Sequence, residues 1–356
     1  MTPSLATLAA PAQEIARVHL RAQRRRRCWL LGFAALLLAC LVADMTSGPA
    51  GLGAADLLRT LLHPNAASAG TRVIVWDFRL PYALMAVLVG AALGWGGAEM
   101  QTLLNNPLAS PFTLGVSAAA AFGAATAITL NLSLPGIPGA WTVTLAAFTS
   151  ALLAVALLER VARWRGGSTL GVVLFGIALV YSFQALIMLL QFIASEEALQ
   201  GIVFWTMGNL GRASWGSVAA LALALAVVLP WSYRDAWQLT AVRLGEERAA
   251  SLGVDLRRLR MVSLLRVSAL TALAVSIVGT IGFVGLVAPH IARLLLGEDH
   301  RYYLPGSTLA GALILSGASI ASKTLLPGAL IPVGIVTSLV GIPFFLAIVV
   351  RTLRKS

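Results

Sequence analysis

Apolar runs of about 18–24 residues follow one another along nearly the whole chain, each long enough to cross a hydrocarbon core of about 30 Å as a helix. Little polar sequence lies between them. Hydrophobic residues make up 58% of the chain and charged residues 11%, against about 25% charged in soluble proteins. No soluble domain of useful size is left over, so the chain reads as an all-α polytopic membrane protein. Ten spans are placed at 28–46, 82–104, 112–131, 141–158, 169–193, 215–232, 261–279, 282–297, 304–322 and 332–350. Residues 28–356 form the transmembrane domain, and residues 1–27 form a tail that is loosely ordered over 1–20.

The net charge of +12 would suggest a nucleic-acid partner in a soluble protein. Among membrane spans, the excess of basic residues in cytoplasmic loops explains it better. Ten spans place both termini on one side. Arg24 to Arg27, Arg160, Arg243, Arg248, Arg257, Arg258, Arg260, Arg266, Arg293 and Arg351 lie there, whereas the other side keeps Arg59, Arg72, Arg79, Arg212 and Lys323. Cytoplasmic termini follow, with membrane lipid and not nucleic acid as surroundings. RRRR at 24–27 before an apolar run, with SGPAG after it, resembles a signal peptide. The run exceeds a typical signal core of about 7–15 residues, so a retained first span is expected. Cys28 and Cys40 would sit about 18 Å apart on that helix at 1.5 Å rise per residue, too far to pair.

Glycine is frequent inside the spans. Gly90 and Gly94 are spaced for close helix contact, and Gly279, Gly282 and Gly285 lie at threes; small residues let helix backbones approach in lipid. Asn105-Asn106-Pro107 ends the second span, because Pro107 restricts the residue before it. That segment is either a plain turn or part of a gate at the pore's inner mouth.

Residues 243–256 separate two spans. Leu244, Ala249, Leu252 and Val254 are apolar, Glu246, Glu247, Arg248 and Asp255 are charged, and Gly245 and Gly253 bracket a helix of about two turns. Such a helix can dock in a groove on a cytoplasmic protein or rest on lipid headgroups. No G-x-x-x-x-G-K-[ST] stretch occurs, so the chain has no phosphate cradle of the P-loop type. His63, His290 and His300 are too scattered for a metal site by spacing, and His290, beside Pro289, is expected to hydrogen-bond a freed carbonyl. Glu99 lies inside the second span, where an acid costs about 2.5–3.5 kcal/mol at the membrane centre. It must face protein or water. It is either a gate or pathway residue, paired with Gln101 or a basic group, or a hydrogen-bonded structural acid.

RLPYALMAVLVGAALGWGGAEMQTLLNNPLASPFTLGVSAAAAFGA (79–124), LGEERAASLGVDLRRLR, IGFVGLVAPHIARLLLGEDHRYYLP and IPVGIVTSLVGIPFFL resemble, in order, blocks of the FecCD-type permeases of ABC importers for iron–siderophores, haem and cobalamin. The resemblance covers essentially the whole chain from about residue 29. It implies the type II importer architecture, with ten transmembrane helices per subunit in a dimer, here a homodimer. It further implies two cytoplasmic ATP-binding subunits, which hold ATP and Mg, a periplasmic substrate-binding protein, and the bacterial inner membrane as location. The chain itself binds no cofactor or metal and does no covalent chemistry. Gly245, Glu246, Glu247, Arg248, Ala249, Ser251, Leu252 and Gly253 match the helix that receives the ATPase's motion. Arg79 and Lys323, assisted by Arg72, match basic positions that meet acids of the binding protein. Glu99, Gln101, Asn105, Asn106 and Pro107 are the pathway or gate candidates. The chain departs from the family pattern at Tyr82, where Arg is frequent, and at Ser319 and Leu330, where Asp and Glu are frequent; Glu99 falls where the family is usually apolar. The expected cargo is an iron–siderophore or haem, with cobalamin as the alternative. Outside this family, a proton-coupled transporter using Glu99 is a further reading, while a membrane-embedded enzyme would lack any convergent nucleophile, base or metal cluster.

Overall fold

The computed structural model describes residues 5–48, 51–164, 169–326 and 328–353. Pro49 and Ala50 of the small-residue stretch lie outside them. Among the described residues there are helices and turns and no strand. In chain order the helices are α1 (Leu5–Thr46), α2 (Ala54–Leu62), α3 (Ala69–Val73), α4 (Leu80–Leu103), α5 (Val116–Thr129), α6 (Gly139–Trp164), α7 (Thr169–Ile193), α8 (Glu196–Thr206), α9 (Trp215–Arg234), α10 (Ala236–Val242), α11 (Glu246–Ser251), α12 (Leu256–Val278), α13 (Val284–Leu296), α14 (His300–Thr324) and α15 (Val333–Leu353). A π-helical stretch, Ile74–Arg79, joins α3 to α4.

Every expected span has a helix. Seven of the described helices are long and apolar enough to cross a membrane, while α5, α13 and the described part of α15 are shorter. At 1.5 Å per residue, α5 and α13 reach only about 20 Å. Irregular backbone completes both: residues 104–115 before α5 and 279–283 before α13. The buried parts of these segments are tolerable at membrane depth because protein surrounds them, whereas Asn105, Pro107, Leu108 and Phe112 of the first are exposed. Leu104, Ala109, Ser110, Leu114, Gly279 and Ile281 are all buried. The tail differs from expectation. The first helix starts at Leu5, so the basic residues 24–27 continue the span as helix.

α4 runs through the centre. It is apolar on all sides, and almost every residue from Pro81 to Leu103 is buried, as expected of a helix with no polar face. It packs on α14, α13, α12, α9 and α1. The glycines make this possible. A Cβ at Gly90 would overlap the carbonyl oxygen of Gly311, one at Gly94 that of Ser307, and one at Gly97 that of Gly285. Gly279, with φ +84, turns the chain out of α12 against the Trp205 carbonyl, whereas Gly282 stands almost clear of neighbours.

Candidate functional site

The end of the molecule that carries Arg26 also carries α10, α11 and the α13–α14 turn: Arg26 reaches Asp299 at 3.6 Å and stacks 5.4 Å from the Tyr302 ring. Here α11 forms as the glycines dictate. Gly245 (φ +112) and Gly253 (φ +83) take backbone conformations that side chains disfavour, and they close the helix at both ends. Glu246 and Glu247 fill its first turn, where the helix dipole favours acids. Asp255 then starts α12 by accepting from the Arg258 amide at 3.0 Å.

The four apolar residues of this segment divide by face. Ala249 and Val254 are buried in one cluster with Leu239 and Leu259. Leu244 and Leu252 stand out at 58% and 59% exposure, with Glu247, Arg248 and Ser251 exposed around them. Glu246 is tied to Arg260 within the chain. A short helix is thus braced from below and presents two leucines and two charges outward.

Behind it lies a polar network that residue spacing did not reveal. Arg243 donates to Asn105 Oδ1 at 3.1 Å and pairs with Glu298. Arg293 reaches Glu298 at 3.7 Å, Gln101 Oε1 at 3.2 Å and the Tyr303 hydroxyl at 3.0 Å. His300, fully buried, sits between Thr102 (2.8 Å) and Thr240 (3.1 Å). Gln101 is buried, while Asn105 (φ +41) and Pro107 are exposed; Asn106 accepts from the Leu108 amide. The gate candidates Gln101 and Asn105 are therefore joined through side chains to α10, α13 and the α13–α14 turn. The sequence signal was the charged GEDH run, legible only as a loop. Arg243's hydrogen bond, helped by its charge and that of Arg293 against partial burial, holds the Glu298 carboxyl below its ordinary range. His290 packs edge-on to Phe344 at 5.9 Å, and His63 ends α2 through its amide.

Glu99 meets Arg266, which the charge count had placed on the cytoplasmic side although it falls within the span expected at 261–279. Arg266 lies inside α12 and is buried. Its Nε and Nη2 bind Glu99 Oε2 at 3.0 and 2.9 Å, and its Nη1 pairs with Asp235. Trp95 donates to Glu99 Oε1 at 2.6 Å, and Ser232 binds the same oxygen. Gln101 is not its partner. The carboxylate is enclosed by α4, α9 and α12, which is the arrangement of a hydrogen-bonded structural acid.

At the opposite end the docking candidates diverge. Arg72 is exposed. Arg79 is 7% exposed and donates to the Met45 carbonyl at 2.6 Å. Lys323 binds the buried Asp44 carboxylate at 3.0 Å and lies 4.2 Å from the Tyr82 ring centre. Ser319 donates to the same carboxylate at 2.6 Å. Neither Arg79 nor Lys323 stands free for an acid on another protein, because the end of α1 supplies the acceptors. Two departures from the family pattern, Tyr82 and Ser319, meet in this one cluster. Leu330 is half-exposed elsewhere.

Comparison with known proteins agrees with this architecture. The model of the FecCD transport family matches residues 36–351. The hemin transport system permease HmuU of Yersinia pestis is 37% identical, over 90% of this chain and 95% of its own length. The vitamin B12 import system permease BtuC of Klebsiella pneumoniae is 36% identical, over 94% of this chain and 96% of its own. A solved structure described as an inward-facing metal-chelate type ABC transporter superposes with a TM-score of 0.79 at 30% identity, covering 90% of this chain and 98% of that one. A match over most of the length, in sequence and in backbone, leaves one conclusion: the chain belongs to the FecCD transport family.

Proposed function

We propose that the chain is the permease of an ATP-driven importer, working as a homodimer in the bacterial inner membrane with both termini in the cytoplasm. Two ATP-hydrolysing subunits dock on the end bearing α11, and a periplasmic substrate-binding protein docks on the opposite end. The observation that carries this reading is the exposed patch of Leu244, Glu247, Arg248 and Leu252 on a helix braced by buried Ala249 and Val254. Exposed apolar anchors on a supported helix suit insertion into a groove of a partner. The sequence has no P-loop, so ATP and Mg belong to that partner. Arg243 and Glu298, directly behind the patch, carry a displacement of α11 to the end of α4 and the start of α14. The permease needs two packings of similar energy, whose balance the partners shift. On the outer side Arg72 is the exposed docking cation, and Arg79 and Lys323 shape the surface from beneath.

The cargo is a chelated iron, as an iron–siderophore or haem. The hemin relative supports this choice, and the vitamin B12 relatives support cobalamin as the second reading. The test is co-reconstitution with the ATP-binding subunit and candidate binding proteins, each loaded with one cargo. Stimulation of ATP hydrolysis by a loaded iron chelate is expected. Stimulation by cobalamin alone selects the second reading, and uphill uptake by the purified chain without an ATPase overturns the importer assignment.

A further inference from the structure

A cavity of about 470 Å³ at the end opposite α11 has no part in that mechanism. It opens between α5, α6, α8, α9 and α12 and is mostly apolar, with Ile128, Val143 and Ile277 in its walls. Among its lining residues there is one cation, Arg212, and no acid. The guanidinium lies over the Trp205 ring, 5.7 Å from its centre. Among the described residues it makes no hydrogen bond and no ion pair. An arginine held on an aromatic face keeps its fork of N–H donors available to an anion.

Two further observations say what kind of anion. Trp141 and Trp205 line the cavity, and Trp215, in the next turn after Arg212, donates to the Trp76 carbonyl at 3.0 Å with the two rings 6.3 Å apart. Tryptophans gather in this way at the headgroup level of a membrane. Beyond the cavity, α6 exposes Leu145, Leu153 and Leu157, and α9 exposes Leu223 and Val227. Both helices pack on α12, whose Ser276 and Ile277 line the cavity too. An apolar surface therefore runs on from a cationic spot at headgroup depth.

We infer that this cavity binds a glycerophospholipid, with its phosphate on Arg212 and an acyl chain laid along the apolar surface of α6 and α9. A free anion would satisfy the guanidinium and leave the apolar walls uncovered. A neutral lipid would cover the walls and leave the donors of the exposed Arg212 to water. Only a molecule with both parts matches the site, and the membrane supplies it.

The full chain, purified in detergent, can be titrated by native mass spectrometry with phosphatidylglycerol, with diacylglycerol of the same acyl chains, and with inorganic phosphate. Phosphatidylglycerol should bind saturably, and diacylglycerol about tenfold more weakly, as expected for loss of hydrogen bonds to a charged group. Inorganic phosphate alone should give no stable adduct. Arg212→Gln should weaken phosphatidylglycerol about tenfold and leave diacylglycerol unchanged, with Arg212→Lys between. Thr144→Phe, which narrows the groove from its partly exposed wall, should weaken both lipids. Equal binding of the two lipids, or phosphatidylglycerol binding unchanged in both the Gln and Phe variants, overturns the inference. Stable binding of phosphate alone overturns it in favour of a free-anion site.

Discussion

An ionised carboxylate inside a membrane helix survives only if the protein replaces its water. Glu99 does this with a two-nitrogen grip from Arg266 and donors from Trp95 and Ser232. Breaking such a pair leaves a buried charge uncompensated, which costs about 3–5 kcal/mol, whereas replacing both partners by apolar residues is often neutral. Arg266→Met should therefore lower thermal stability markedly. Glu99→Gln should cost less, because Asp235 still faces the guanidinium. Glu99→Leu combined with Arg266→Met should recover most of the loss; unfolding of the three variants in one detergent checks the order. Glu298 makes a different expectation. Its carboxyl titrates below the ordinary range because of Arg243, so its contribution is complete above that range and disappears as the pH falls through the lowered value. Hydrogen exchange around the α13–α14 turn, corrected for the pH dependence of the intrinsic amide rate, should stay constant from neutral to mildly acidic pH and rise only in stronger acid. Glu298→Gln should show the raised exchange already at neutral pH. Sequence reasoning found Glu99 as an anomaly but could not name its partner, since Arg266 is 167 residues away, in a span whose packing against the second span no local pattern records.

Among the elements, the α4–α14 crossing depends on the absence of side chains at Gly90, Gly94 and Gly311. Overpacking a close contact typically costs about 1–3 kcal/mol, and here the obstacle is backbone. Gly94→Leu should lower the yield of folded protein and its unfolding temperature. Gly32→Leu on α1 meets nothing within 4 Å and should leave both unchanged. The spacing of Gly90 and Gly94 was legible as a packing signal; which helix it serves was not. The short helices were harder. An apolar run does not record where its backbone leaves the helix, so the expected spans at 112–131 and 282–297 became α5 and α13, each preceded by irregular backbone that is partly or wholly buried. Phe283 in particular takes φ +66 just before α13, a conformation that nothing in its side chain announces.

For the whole molecule, the proposed coupling surface sets the decisive variant. Glu247→Lys with Leu252→Asp should reduce cargo-stimulated ATP hydrolysis at least tenfold or release the ATPase during purification, with the fold preserved because both side chains are exposed. Normal assembly and transport in that variant would remove α11 from the coupling path. Much of this architecture follows from the chain's own order of residues: long apolar runs demand buried backbone hydrogen bonds, which in lipid means helices, and glycines at 245 and 253 mark out α11 by their positions alone. The tertiary structure alone decided which polar groups are free. Arg79 and Lys323 look like surface cations and are instead turned onto the end of α1, while Arg212 keeps its donors open. The reason is that pairing of buried charges depends on residues far apart in sequence, brought together by helix packing that local pattern does not encode.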